Sequence, residues 1–182
     1  MSEVNVFFAT GYEEVEALTV VDLLRRAGIE TDMVSVTGDL NVTSSHGVTV
    51  SMDKLFEEAD KNAKMLVLPG GMPGTLNLKA HDGLKELIRS FDREGRYLAA
   101  ICAAPTVYGS MGLLRGRVAC CYPGMEEELS GADKRMDSVV VDDNFITSRG
   151  MGTAIEFGLT LVALLRNQET ADSLSNKIVY TV

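Results

Sequence analysis

Cys102 is the residue of this chain whose surroundings point most directly to chemistry. A run of small and apolar residues, 97–101, ends at this cysteine, and a helix-like stretch begins immediately after it. Such a pattern predicts a sharp strand-to-helix turn that holds one reactive side chain above a sheet. We expect the nearby helix N-terminus to favour the thiolate, so the pattern predicts a nucleophile. The alternative is that Cys102 is a buried and unreactive cysteine.

Glu16 is the second candidate, because it lies on the apolar face of the predicted first helix. At about 100° per residue, it shares an arc with Val20 and Leu24. A carboxylate on that face is costly unless it has a partner or stays protonated. The alternative, attraction to the positive helix end, explains its two acidic neighbours better. Since the helix starts at the sheet edge where Cys102 would emerge, we expect an acid beside a thiol.

The glycines that follow a predicted buried strand form the third element. Gly70 and Gly71 allow backbone N–H groups to come close to a ligand. A phosphate loop is poorly supported, because neither a GxGxxG pattern nor a P-loop lysine is present. We expect instead that the N–H groups of Gly71 and Ala103 form an oxyanion hole for a carbonyl attacked by Cys102. The alternative is a simple tight turn.

The elements that would position these residues alternate along the chain, as in a parallel sheet covered by helices on both faces. The chain is predicted to be one α/β domain over residues 1–182. Strands are predicted over 4–9, 31–36, 65–68, 97–101, 118–121, 139–141 and 145–147, helices over 14–27, 78–93 and 153–165, and a less regular hairpin over 42–51. A further helix follows Cys102, with Pro105 in its first turn.

Composition limits the classes of function. The chain has 182 residues, 46 % of them hydrophobic, and a net charge of −9 with no concentration of Lys and Arg. Nucleic acid is therefore not expected as a partner, and no apolar run is long enough to span a membrane. The first residues lack the basic region of a signal peptide. Three cysteines do not form a disulfide framework, so reduced thiols and a cytoplasmic location are expected.

Metal and cofactor signatures are missing from the sequence. There is no C-x-x-C, no H-x-x-x-H and no carboxylate–histidine cluster of the usual spacing, so we expect neither a metal nor a cofactor. Cys120 and Cys121 are neighbours on a predicted strand and should point to opposite faces. One of them is expected in the core and the other near a loop or the site.

Four separate motifs resemble those of the ThiJ/PfpI superfamily, in the branch of the Parkinson-disease-linked protein deglycase and its bacterial relatives. They are Glu-Glu-Val-Glu at 13–16, Leu-Pro-Gly-Gly at 68–71, Ala-Ala-Ile-Cys-Ala-Ala-Pro-Thr at 99–106 and Thr-Ser-Arg-Gly at 147–150. The resemblance implies a flavodoxin-like three-layer sandwich, related to class I glutamine amidotransferases, and a homodimer. It also implies that Cys102 is a nucleophile or redox centre hydrogen-bonded to Glu16. The activities it implies are cofactor-free glyoxalase and deglycase chemistry, chaperoning and oxidation sensing.

Departures from the family pattern argue against cysteine–histidine catalysis. Ala103 stands where the protease-like branch has a histidine, and both histidines, His46 and His81, precede Cys102. Tyr122 stands where the human branch has a histidine and is a poor base near neutral pH. We therefore assign Tyr122 only a substrate contact, together with Gly70 and Arg149, although Arg149 could instead pair with an acid or contact a dimer partner. His46 is expected in an exposed loop.

Two functions remain open from the sequence. In the first, Cys102 and Glu16 share one proton, the thiolate attacks an α-oxoaldehyde such as methylglyoxal or glyoxal, and Glu16 shuttles protons until water releases the hydroxy acid. In the second, oxidation of the same thiol makes the protein a sensor or chaperone without turnover. Both functions need the same two residues.

Overall fold

The computed structural model describes residues 1–181, which form helices and strands in alternation. The strands are β1 (Val4–Phe8), β2 (Thr31–Ser35), β3 (Asn41–Thr43), β4 (Thr49–Ser51), β5 (Lys54–Leu55), β6 (Met65–Leu68), β7 (Tyr97–Ile101), β8 (Val118–Ala119), β9 (Asp133–Lys134), β10 (Val139–Asp142) and β11 (Phe145–Ser148). The helices are α1 (Glu14–Arg26), α2 (Gly74–Ala80), α3 (Asp82–Arg93), α4 (Pro105–Ser110), α5 (Ala154–Leu165) and α6 (Gln168–Lys177).

A seven-stranded sheet forms the centre, in the order β10-β11-β7-β6-β1-β2-β5. All neighbours in this sheet are parallel except β10 and β11, which form an antiparallel pair at one edge. Strands β3 and β4 form a separate hairpin, and β8 and β9 pair as a short parallel ladder. This is the predicted mainly parallel sheet, and the carboxyl ends of β1, β6 and β7 lie side by side.

Side chains alternate across the sheet and bury two apolar layers. Val6 and Val67 belong to the layer beneath α1, α5 and α6, whereas Phe7 and Leu66 belong to the layer beneath α2, α3 and α4. Successive residues of a strand face opposite sides, so a continuous apolar run such as β1 serves both layers. The predicted three-layer sandwich is confirmed.

Most predicted elements are present with small shifts at their ends. The prediction of one helix over 78–93 is wrong, because the segment starts earlier and forms two helices, α2 and α3. Residue His81 separates α2 from α3: its backbone is extended, and its Nδ1 accepts a hydrogen bond from the Leu84 N–H at 3.0 Å. A side-chain acceptor at that position caps α3 and ends the preceding helix. Helix α6 and the edge strand β5 lie outside the predicted elements.

The strand predicted over 118–121 is shorter than expected, because β8 ends at Ala119. The N–H of Cys120 donates to the Thr147 hydroxyl at 3.0 Å instead of continuing a ladder. Among residues 1–181, no helix has the length and hydropathy of a membrane span.

Candidate active site

Cys102 occupies the turn between β7 and α4 in a strained backbone conformation. Its φ is 65°, a left-handed value that is uncommon for a residue with a side chain. Two hydrogen bonds hold the turn: the Cys102 N–H donates to the Ser148 carbonyl at 2.9 Å, and the Tyr122 N–H donates to the Cys102 carbonyl at 2.7 Å. The predicted sharp turn is therefore present, and it fixes where the thiol stands.

Glu16 reaches the same point from α1 and is almost completely buried, with 1 % of its surface exposed. Its Oε2 accepts a hydrogen bond from the Gly70 N–H at 2.9 Å, and the carboxyl also hydrogen-bonds Cys102. The Glu16 carboxyl is thus held by Gly70 and Cys102, and not by the free N–H groups at the start of α1. The predicted pairing of acid and thiol is thus seen in the structure.

Burial controls the charge state of this acid. It raises the pKa of Glu16 to about 7, against the hydrogen bonds from Cys102 and the Gly70 N–H that act to lower it. The negative charge of Glu13 raises the Glu16 pKa further. A carboxyl with this pKa holds its proton in a large fraction of molecules at neutral pH.

The thiol does not have the lowered pKa expected from a helix N-terminus. Burial, and then the charge of Glu16, raise the pKa of Cys102 to about 12, while the backbone N–H groups of Ala103 and Gly71 act to lower it. Helix α4 has only six residues and begins at Pro105, three positions beyond the cysteine. Formation of the Cys102 thiolate therefore depends on Glu16 taking the thiol proton. Once the carboxyl is neutral, it no longer repels the negative charge on the sulfur.

The two glycines let three segments meet without side chains between them. A Cβ on Gly70 would lie 2.6 Å from the Cβ of Cys102 and 2.7 Å from Oε2 of Glu16. Gly71 has a φ of 90°, and a Cβ there would collide with the backbone of Tyr12 at 2.6 Å. Only glycine leaves room at both places. The close approach lets the Gly71 N–H hydrogen-bond the sulfur, as the Ala103 N–H also does.

Two clefts open beside the thiol, with Tyr122 and Pro123 between them. The first has a volume of about 490 Å³ and contains charged and polar side chains, among them Glu13, Glu16, Ser138, Arg149 and Thr153, in a lining that also includes Met136 and Met151. The second has a volume of about 340 Å³ and is more apolar, with Met72 and Met125 in its walls. Cys102 lines both clefts, so a bound molecule can reach the sulfur from either side.

Tyr122 and Arg149, the expected substrate contacts, both line the first cleft. The side chain of Tyr122 is half exposed, and Gly150 lies under its ring, where a Cβ would be 3.5 Å from Cδ2. Arg149 follows β11 directly, and its Nη1 donates to the Met136 carbonyl at 3.3 Å. Gly70 is positioned as a close backbone neighbour of the acid and the thiol.

Cys120 and Cys121 correct the expectation that one of them faces a loop or the site. Both are fully buried, whereas Cys102 is partly exposed. Burial also raises the pKa of Cys121 to about 12 and raises that of Cys120. Cys121 packs in the layer beneath α2, α3 and α4, whereas the sulfur of Cys120 contacts the Thr147 hydroxyl at 3.7 Å, so both are buried but among different neighbours.

His46 lies in the exposed loop of the β3–β4 hairpin, where 67 % of its side chain is accessible. Its Nδ1 lies 3.2 Å from Oε2 of Glu14 and 3.6 Å from Oε2 of Glu13. The hydrogen bond to Glu14 raises the pKa of His46, because the two neighbouring carboxylates favour the charged form of the imidazole. Short-range spacing could not reveal this group, because the hairpin brings it together over about thirty residues.

Three residues that contribute to the site were not predicted individually from the sequence. Ser148 accepts the hydrogen bond that anchors Cys102, and Glu13 lines the first cleft. Met72 gives the second cleft its apolar wall. Ser148 and Glu13 lie inside the motifs at 147–150 and 13–16, which could have pointed to them. Met72 lies in a loop and belongs to no such pattern.

This constellation has counterparts in known proteins. The model of the DJ-1/PfpI family matches residues 2–164. Protein DJ-1 homolog B of Arabidopsis thaliana is 38 % identical over 174 residues, 94 % of this chain but only 40 % of that protein, so the chain spans less than half of that relative. The glutathione-independent glyoxalase DJR-1.2 of Caenorhabditis elegans is 32 % identical over 164 residues, 89 % of this chain and 87 % of its own length.

The architecture agrees with the sequence. The oxidized DJ-1 structure of Toxoplasma gondii superposes with a TM-score of 0.95 and 34 % identity, covering 100 % of both chains. A matching family model over most of the chain, relatives of this identity and a shared fold lead to one conclusion: the chain belongs to the DJ-1/PfpI family.

Proposed function

We propose that this protein is a cofactor-independent glyoxalase that converts methylglyoxal or glyoxal to the hydroxy acid, with related deglycase chemistry on their adducts. The observation that carries the proposal is the buried pair of Glu16 and Cys102, which hydrogen-bond each other at the end of the sheet. The pKa of Glu16 is about 7, so the ionised carboxyl is available as a base at neutral pH and the protonated carboxyl as an acid.

In the first step, the sulfur attacks the aldehyde carbon as the thiol proton moves to Glu16. The new C–S bond places the former carbonyl electron pair on oxygen, giving a hemithioacetal anion. Proton transfer within the pair needs no net loss of a proton, which avoids two adjacent anions. The N–H groups of Gly71 and Ala103 already hydrogen-bond the sulfur, so an oxyanion formed on the adjacent carbon lies near both donors.

In the next steps, Glu16 carries a proton between neighbouring carbons. Glu16 first gives the thiol proton to the hemithioacetal oxygen and is ionised again; it then removes the C–H proton and passes it to the adjacent ketone oxygen, which gives an enediol. Glu16 next takes the O–H proton of the first carbon and delivers it to the second carbon, which gives a thioester of the 2-hydroxy acid. Water then cleaves the C–S bond, releasing the hydroxy acid and restoring the thiol. The sum is addition of one water to the oxoaldehyde, with no external oxidant or reductant.

The relatives are consistent with this assignment. DJR-1.2, which is 32 % identical to this chain, is named a glutathione-independent glyoxalase. The absence of a histidine beside Cys102 leaves Glu16 as the proton carrier, for which we expect modest rates.

The direct test is lactate formation from methylglyoxal by purified protein in excess chelator. We expect steady turnover by the wild type, none above the buffer rate in Cys102→Ser, and near wild-type turnover in Cys120→Ala, a buried cysteine that lines neither cleft. Wild-type protein that forms no lactate would exclude the glyoxalase assignment.

A second candidate, oxidation sensing, is favoured by the donors around the sulfur. The N–H groups of Gly71 and Ala103 and the carboxyl of Glu16 all hydrogen-bond the thiol, and the same groups could stabilise oxygen atoms added to it. Cys102 is also the thiol with the greatest exposure of the three. Peptide mass spectrometry after mild peroxide should find oxygen first on Cys102, and at least tenfold later on Cys120 and Cys121.

Peroxide-treated protein that gains holdase activity toward an aggregating client, combined with no lactate formation, would favour this second function. First oxidation at Cys120 or Cys121 would contradict it. All three cysteines are free, which fits the cytoplasmic location that we include in the proposal. We also propose the homodimer that the family resemblance implies, and sedimentation of the reduced protein tests it.

A further inference from the structure

Arg149 is a cation in the first cleft and has no carboxylate partner in an ion pair within the described part of the chain. Among residues 1–181, no carboxylate lies within ion-pairing distance of its guanidinium. Its Nη1 makes one long hydrogen bond, 3.3 Å, to the Met136 carbonyl, and its Nε is buried without a hydrogen-bond partner. One long hydrogen bond uses few of the five N–H donors of the guanidinium, so Arg149 keeps donors for a group that accepts hydrogen bonds.

The other charged groups of the cleft are already occupied. Glu13 accepts a hydrogen bond from the Ser45 hydroxyl at 3.4 Å and lies 3.6 Å from the imidazole of His46. Glu16 is held by Cys102 and the Gly70 N–H, and below its pKa of about 7 it is mostly neutral. Arg149 is therefore the charged side chain of this cleft that remains free for a ligand.

The segment that carries Arg149 is well anchored. Its predecessor Ser148 accepts the Cys102 N–H at 2.9 Å and donates its own hydroxyl proton to the Ser138 carbonyl at 2.7 Å. Its successor Gly150 donates to the Thr153 hydroxyl at 3.1 Å. Because both neighbours are fixed, the backbone at Arg149 stands at a set place beside the turn of Cys102, and the guanidinium is held by its hydrogen bond to the Met136 carbonyl.

We infer that Arg149 forms a carboxylate-binding subsite beside Cys102, which holds the carboxylate that hydrolysis of the thioester produces and selects for ligands with that group. The inference rests on the proposed function for its choice of carboxylate. A guanidinium suits this anion because two parallel N–H groups can bind both carboxylate oxygens. Arg149 is thus a positioning and specificity residue and takes no proton itself.

The test measures binding without turnover. In the Cys102→Ser background, calorimetric titration at about pH 6, where Glu16 is mainly neutral, compares glycolate with its neutral amide, glycolamide. We expect glycolate to bind at least tenfold more tightly than glycolamide. Adding Arg149→Gln should weaken glycolate at least tenfold and leave glycolamide unchanged, and Arg149→Lys should fall between the two.

The matched control is Arg135→Gln, since Arg135 is a half-exposed arginine already paired with Asp133 at 2.8 Å. Its removal should leave glycolate binding unchanged. Equal glycolate affinity in the parent and Arg149→Gln would overturn the subsite. If Arg149→Gln does not fold, equal affinity of the parent for glycolate and glycolamide overturns it. Wild-type protein that makes no lactate would overturn the glyoxalase assignment without affecting this result.

Discussion

Glu16 and Glu3 lie at opposite ends of the same sheet, and the pKa values of their carboxyl groups are shifted in opposite directions. Glu3 precedes β1 at the amino edge, where Arg166 and Lys64 approach its carboxylate at 2.6 and 2.7 Å. Hydrogen bonds from these two cations lower its pKa to about 2. Glu16, at the carboxyl edge, is buried without a cation, and its pKa rises to about 7. The same residue type therefore has a lowered pKa at one edge of the sheet and a raised pKa at the other.

The difference separates a structural carboxylate from a reactive one. At the amino edge, Arg166 joins the end of α5 to β1, and its charge is matched by Glu3. At the carboxyl edge, a partly neutral acid stands against a thiol, and the strained backbone of Cys102 holds the pair. Matched charge stabilises the first edge, whereas the unmatched acid of the second is available to exchange a proton.

Replacing Glu16 with Gln should produce the largest effect on activity. The side-chain shape is kept, but the proton carrier is lost, so turnover of methylglyoxal should fall by about 10²–10⁴-fold. In the wild type, the rate should rise with pH through about 7, because one proton must leave the pair before Glu16 can act as a base. That step should be absent from the pH profile of Glu16→Gln.

Glu13→Gln is the control for charge in the same cleft, and it should keep a pH step, moved downward, because the Glu13 charge raises the pKa of Glu16. Steady-state rates across the pH range provide the measurement. A wild-type rate in Glu16→Gln would remove the proton-carrier role.

Glu16→Gln should also stabilise the protein at alkaline pH. Because the folded pKa of Glu16 is about 7 against a reference of 4.5, its contribution to stability is complete below pH 4.5 and is lost as pH rises through 7. At about pH 8, Glu16→Gln should exceed the wild type in free energy of unfolding by up to about 3 kcal/mol. Urea titrations at several pH values test this; a gap that does not shrink toward acid pH would contradict it.

Glu3→Gln should have the opposite sign and a smaller size. The lowered pKa means that the Glu3 contribution is present above pH 4.5 and is lost as pH falls through about 2. The pair with Arg166 and Lys64 is partly exposed, so we expect the variant to be less stable by about 1 kcal/mol at neutral pH. High salt should reduce the difference. A variant as stable as the wild type in low salt would show that the amino edge is not held by these charges.

Features that depend on neighbouring residues in the chain could be predicted from the sequence. Strands β6 and β7 have the predicted bounds, because a short apolar run beside a glycine loop or a cysteine turn allows few other structures. The burial of Glu16 followed from helical periodicity, since an acid in line with Val20 and Leu24 must share their environment. The break at His81 was missed because the apolar pattern continues through it, and only a side-chain hydrogen bond marks the end.

The sequence by itself determined which residues meet at the carboxyl edge: parallel strands bring Cys102, Glu16 and the two glycines to one place through their order in the chain. Only the tertiary structure decided how they behave. The thiol pKa is raised because burial and a nearby carboxylate outweigh a six-residue helix that starts three positions away. The free charge of Arg149 depends on which groups fold around it, and these lie at distances along the chain that no local pattern records.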